Sequence, residues 1–192
     1  MTSIAIVTSS VRPNRVGLDV ANWVKSVANQ RGDAAYEVVD IADFNLPLWD
    51  GAPGAEAPNE EGRAFTAKMA EFDGYVFVVA EYNHSITGAF KNALDYLQPE
   101  LHNKAAGFVS YGSAMGARAV EHLRNILSEA QVAHVRNAAL LSLFTDFENF
   151  SVVKPSEPAA ASVPPMLDQL IVWTKAMEAV RAGQFAPVGA AV

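Results

Sequence analysis

The six-residue run Tyr75-Val76-Phe77-Val78-Val79-Ala80 is the strongest constraint this sequence places on its fold. It has no charged residue, is rich in valine and aromatics, and is too short for a helix, which predicts a strand covered on both faces at the middle of a sheet. Such a strand needs helices above and below it, and the flanking sequence supplies them. Val16, Val20, Trp23, Val24 and Val27 fall at helical spacing before Gly32. Phe65, Met69 and Phe72 mark a second helix. Ala89, Phe90, Ala93 and Leu97 mark a third, and Val120, Leu123, Leu127 and Ala130 a fourth. Met166, Leu170, Trp173, Met177 and Val180 space a fifth. Short apolar segments at 3–8, 36–41, 105–110 and 138–143 read as the remaining strands. This alternation predicts an α/β fold with a five-stranded parallel sheet and helices on both faces. Residues 47–58, with Gly51, Gly54 and three prolines, read as a loop; 155–165, rich in Ala and Pro, reads as a connection; the Gly/Ala tail reads as frayed.

Composition narrows the chemistry. The chain has no cysteine, which excludes disulfides, thiolate catalysis, iron–sulfur clusters and Cys-type zinc sites, so redox work needs a bound cofactor. With 14 Lys+Arg against 21 Asp+Glu the net charge is -7, and no general basic field favours nucleic acid or an anionic membrane. Any anion site is therefore local. The first residues show no basic n-region, and the longest apolar stretch spans residues 75–80, so the expected location is the cytoplasm. His84, His102, His122 and His134 stand at no metal-ligand spacing, and no metal is expected.

In parallel sheets ligands bind beyond the carboxyl ends of the strands, and three loops leave those ends here with unusual polar content. The first, Thr8-Ser9-Ser10-Val11-Arg12-Pro13-Asn14-Arg15-Val16-Gly17, combines hydroxyls, two arginines and a helix start. Free N–H groups and guanidinium forks suit a phosphate. The alternative is that Ser10 or Asn14 caps the helix and both arginines are solvated. The spacing is neither GxxxxGK[ST] nor GxGxxG, which disfavours nucleoside triphosphates and a Rossmann-held dinucleotide. The second loop, Glu81-Tyr82-Asn83-His84-Ser85-Ile86-Thr87-Gly88, offers an aromatic face and an amide suited to a flat heterocycle. Alternatively, Glu81 caps the next helix or pairs with Lys91. His84 has no evident orienting partner and is read as structural or solvated, not as an acid or base. In the third, Ser110-Tyr111-Gly112-Ser113-Ala114-Met115-Gly116-Ala117-Arg118, glycines permit close backbone approach or simply make the turn.

Residues 10–17, then Glu81-Tyr82-Asn83-His84-Ser85 with Gly88 and Lys91-Asn92-Ala93-Leu94-Asp95, then Tyr111-Gly112 with Gly116 and the helix from Arg118 to Leu123 together resemble the NADPH-dependent FMN reductase family. The likeness spans roughly the first 140 residues. It implies a flavodoxin-like three-layer sandwich with strand order 2-1-3-4-5, one FMN-binding domain over 1–192, and a C-terminal connection and last helix over about 145–192. It also implies that Ser10, Arg12, Arg15 and the backbone of Val16 and Gly17 hold the FMN phosphate. Glu81, Tyr82, Asn83 and His84 would lie along the ring, with Ser110, Tyr111 and Gly112 closing its other side. The implied reaction passes hydride from NADPH or NADH through FMN to a small acceptor (a flavin, quinone, dye or metal oxyanion) with no catalytic side chain, in a homodimer or homotetramer. A flavodoxin-like electron carrier without NAD(P)H activity is the alternative, disfavoured by the arginine pair. Ala80 stands where the family usually has Pro, and Gly116-Ala117 where it usually has a Gly-Gly pair.

Overall fold

The computed structural model describes residues 1–51 and 56–185. Five parallel strands, β1 (Ser3–Thr8), β2 (Ala35–Val39), β3 (Gly74–Ala80), β4 (Ala105–Gly112) and β5 (Ala133–Ser142), form one sheet in the order β2-β1-β3-β4-β5. All seven residues of β3 and all eight of β4 are buried, as the unbroken apolar run predicts. The two-residue period of the strands divides their side chains between two cores. Ile4, Ile6, Val76 and Val78 pack with helices α1 (Gly17–Ala28) and α5 (Glu157–Arg181). Val7, Tyr75, Phe77 and Val79 face the opposite layer, made by α2 (Glu60–Ala70), α3 (Gly88–Asp95) and α4 (Ala117–Glu129). The fold class and strand order match the expectation. Residues 52–55 of the expected loop and residues 186–192 of the tail lie outside the described residues. Among those described, no helix is long and apolar enough to cross a membrane.

Three segments differ from the pattern read in the sequence. The fifth strand begins at Ala133 rather than 138, because His134, Arg136 and Asn137 break the apolar signal where the pairing with β4 shifts register. Arg124 on α4 makes that irregularity tenable: its guanidinium donates to Val135 O at 2.7 Å and Arg136 O at 3.1 Å and stacks over Phe108. The Ala/Pro-rich stretch expected to be a connection is the first half of α5. Pro158 sits in the first turn, where its missing N–H costs nothing. Pro164 and Pro165 lie on the exposed side, so the carbonyls they leave unbonded near 160–161 face outward, while Ala159, Val163, Met166 and Leu167 are buried. Burial of that face overrides the local preference. A short hairpin, β6 (Phe147–Glu148) and β7 (Val152–Val153), precedes α5 and has no counterpart in the sequence reading. Asp146 anchors it, accepting from Ser142 N at 2.7 Å, Ser156 N at 2.8 Å and Ser156 Oγ at 2.6 Å.

At the amino-terminal end of the strands, opposite the three loops, Lys104 is buried, with Nζ donating to Ala70 O at 3.2 Å and the Tyr75 hydroxyl at 3.1 Å. Burial, assisted by the charge of Arg181, pulls its pKa from 10.5 down to about 8. The unfolded chain holds this proton to higher pH than the folded one, so this group's contribution to stability rises with pH between those values. Above about pH 10 ionisation of Tyr75, whose pKa burial raises, opposes it. Replacing Lys104 with Met should remove the rise. In urea titrations from pH 7.5 to 9.5, wild type should gain about 1–2 kcal/mol relative to the variant; parallel curves would place the lysine proton elsewhere.

Candidate functional site

The carboxyl ends of β1, β3 and β4 lie side by side, and the connections leaving β1 and β3 run in opposite directions, to β2 and to β4, which opens a crevice between β1 and β3. Ser9 joins the first two loops across it. Its hydroxyl accepts from Ala80 N at 2.8 Å, and its carbonyl oxygen accepts from the Thr87 hydroxyl. Thr87 in turn caps α3, accepting from Phe90 N at 3.0 Å. Neither expected role of Glu81 is observed: Thr87 is the cap, and Lys91 pairs with Asp95.

No side chain caps α1. Its N-terminal residue, Val16, has no capping bond; Asn14 adopts a left-handed turn with φ 57°; and Ser10 Oγ accepts from Arg12 N at 3.3 Å within its own loop. The amides of the first turn at Gly17, Leu18 and Asp19 therefore face the loop without intrahelical partners. Arg12 is exposed and has no ion-pair partner among the described residues. Arg15 is not solvated. It pairs at 2.5 Å with Asp40, a buried carboxylate that also accepts from Thr8 Oγ1 at 2.7 Å. Its Nε remains buried with no partner. This end of α1 thus gathers uncapped amides, one free guanidinium and one unpaired donor, which is the donor set of an anion site.

Tyr111 reaches the same place from β4. A Cβ at Gly17 would stand 2.8 Å from its hydroxyl oxygen, so only glycine admits the ring there. Burial raises the Tyr111 pKa, with Tyr82 adding to that, and the charges of Arg12 and Arg15 pull against it. The hydroxyl stays protonated and can donate. Gly112 and Gly116 make the third loop compact; Gly116 holds φ +71°, and a Cβ there would strike Ser110. Ser110 itself is fully buried, and its hydroxyl donates to Met115 O at 2.7 Å, inside the loop.

In the second loop, Tyr82 and Ser85 exchange backbone bonds, N to O at 2.9 and 3.0 Å, around Asn83 (φ 47°) and His84 (φ 73°). Both central residues being left-handed makes this a tight primed turn, a geometry that favours Asn-Gly and that His84 holds at some cost. Tyr82, Asn83 and His84 are exposed. Glu81 points inward: Arg118 Nε donates to its Oε1 at 2.6 Å, while Oε2 is buried without a partner. Glu81 N also donates to Tyr111 O at 3.2 Å, tying the second loop to the third. From the sequence alone, Arg118, His122, Asp40 and Ser9 are assigned no binding role. The i, i+4 spacing of Arg118 and His122 is a local signal that places both on one helix face.

The sequence model of the NADPH-dependent FMN reductases matches residues 2–146. The chain belongs to that family. An NAD(P)H-dependent FMN reductase of Nectria sp is 40% identical over 136 residues, covering 66% of this chain and 68% of that protein. One of Schizosaccharomyces pombe is 31% identical over 158 residues, covering 80% and 79%. A quinone reductase of Escherichia coli is 38% identical over 98 residues, covering 45% and 49%. Among solved structures, the FerB flavoenzyme NAD(P)H:(acceptor) oxidoreductase of Paracoccus denitrificans superposes with a TM-score of 0.73 at 20% identity, covering 92% of this chain and 99% of that one, which establishes the shared fold. The family match ends where the β6–β7 hairpin begins.

If a flavin phosphate sits at this end of α1, Arg12→Ala should weaken FMN binding ten- to hundredfold, about 1.5–3 kcal/mol, while leaving riboflavin affinity unchanged. Equal losses for the two flavins in fluorescence titrations would remove the phosphate from this loop.

Proposed function

We propose that this chain binds FMN across the three loops and uses NAD(P)H to reduce a small acceptor such as a flavin, quinone, dye or metal oxyanion. The observation that carries the reading is the uncapped start of α1 beside Arg12 and the unpaired Arg15 Nε, in a chain of this family. The residues present suit the cofactor. Arg12, Arg15 Nε, the amides at Val16 and Gly17 and the Tyr111 hydroxyl would hold the phosphate end. The exposed face of Tyr82, the Asn83 amide and the unpartnered Glu81 Oε2 would meet the ring and its polar edge. The chemistry FMN supplies when bound is hydride acceptance from the nicotinamide and onward delivery of the electron pair.

The protein's own share is placement and electrostatics. Asp40 neutralises Arg15, so a phosphate dianion meets one uncompensated guanidinium and a set of backbone dipoles rather than two free charges. His84 stands exposed on the turn with no hydrogen-bonding partner among the described residues, and no carboxylate orients its ring. It is not assigned an acid–base role. We further propose a homodimer. A groove of about 260 Å³ between α3 and α4, floored by Leu94, Leu97 and Ile126 and rimmed by Lys91, Asp95 and Glu129, is the surface that a second copy would cover. The cytoplasm, where reduced nicotinamide nucleotides are supplied, is the proposed location.

With FMN present, the purified protein should oxidise NADPH or NADH in the presence of a quinone, and His84→Asn should keep turnover within about tenfold of wild type, short of the 10²–10⁴-fold loss that removing an acid–base group brings. Steady-state assays across pH 5.5–8.5 decide this. A limb near the ordinary histidine pKa that vanishes in the variant with a hundredfold rate loss would make His84 catalytic, and FMN binding without any NAD(P)H oxidation would favour the electron carrier.

A further inference from the structure

The second loop is held from behind by α4. Arg118 and His122 stand one helical turn apart, both exposed and on the same side of that helix. Arg118 Nε donates to Glu81 Oε1 at 2.6 Å, and His122 Nδ1 lies 2.9 Å from Ser85 Oγ. The two side chains thus hold the turn 82–85 at its two ends: Glu81 immediately precedes it and Ser85 is its last residue. The paired backbone bonds between Tyr82 and Ser85 close the turn but do not fix how it leans over the sheet. Its nearest other anchors are Glu81 N to Tyr111 O on one side and, on the other, the buried Ile86 followed by the Thr87–Ser9 contact. The Asn83-His84 tip between them has no side-chain hydrogen bond among the described residues, and its two left-handed residues persist only if the surroundings impose them. The Glu81 carboxylate is aimed by the Arg118 contact alone, since its second oxygen has no partner.

We propose that Arg118 and His122 are positioning residues that set the lean of the turn and so the fit of the flavin ring, without touching the flavin themselves. This rests on the FMN reading above. Because the brace acts on the ring side, it affects FMN and riboflavin alike, unlike the phosphate loop.

The test titrates FMN and riboflavin into the full-length apoprotein as wild type, His122→Ala, Ser85→Ala, the double variant and His122→Asn, whose amide can stand where Nδ1 stood. His122→Ala and Ser85→Ala should each weaken both flavins by the same factor, about three- to tenfold, the worth of one hydrogen bond. The double variant should be no worse than either single one, His122→Asn should recover to within about twofold, and the visible circular dichroism of bound flavin should change in the alanine variants only. Arg118→Met should give the larger loss; if it fails to fold, the exposed His122–Ser85 pair still decides. Wild-type affinity and an unchanged dichroism band in both alanine variants, or losses that add in the double variant, would overturn the brace. A wild-type protein that binds neither flavin would instead overturn the FMN reading.

Discussion

Ser9 fixes the working edge of this protein. Buried at the end of β1, it accepts the Ala80 amide with its side chain and the Thr87 hydroxyl with its backbone, so the loop after the first strand and the loop after the third are locked in one register. Because both bonds are made in the interior, where an unpaired partner costs a full desolvation penalty, breaking the register of the two loops is costly. The start of α1 is carried by the first loop and the exposed aromatic turn by the second, and their separation follows from this one residue.

On that frame the electrostatics are local. A chain with net charge -7 would repel an anion at long range, yet the crevice gathers donors whose strength comes from orientation rather than net charge. Asp40 holds Arg15 in place and cancels its charge while Thr8 holds Asp40, so the arginine serves partly as structure. The opposite loop shows the mirror case, with Glu81 held by Arg118 and one oxygen left over. Each loop therefore presents an ionised group whose partner comes from a different element, a pattern that keeps side chains preorganised at small cost in flexibility.

Much of this was legible in the sequence. The doubly covered strand at 75–80 and the helical spacings around it dictate the layers, and the loops following three strands dictate where polar chemistry collects. The unreadable parts have physical causes. Polar residues in β5 hid its first half, because an arginine from another helix satisfies the irregular backbone there. Prolines hid the first half of α5, because burial of its inner face outweighs two missing hydrogen bonds on its outer one. In the site, Ser10 or Asn14 as a helix cap was a fair local expectation that the loop's turn at Asn14 defeats. The pairings of Arg15 with Asp40 and of Glu81 with Arg118 join residues 25 and 37 positions apart, beyond the reach of any local pattern.

The central claim is that one crevice, spanning the ends of β1, β3 and β4, takes a phosphate at α1 and a flat ring at the turn 82–85. A crystal structure of the protein grown with FMN measures it most directly. The account predicts the phosphate oxygens within hydrogen-bonding distance, about 2.7–3.2 Å, of the first-turn amides of α1 and of Arg12, with the ring against Tyr82 and Glu81. A phosphate bound elsewhere, or a ring lodged in the groove between α3 and α4, would contradict it.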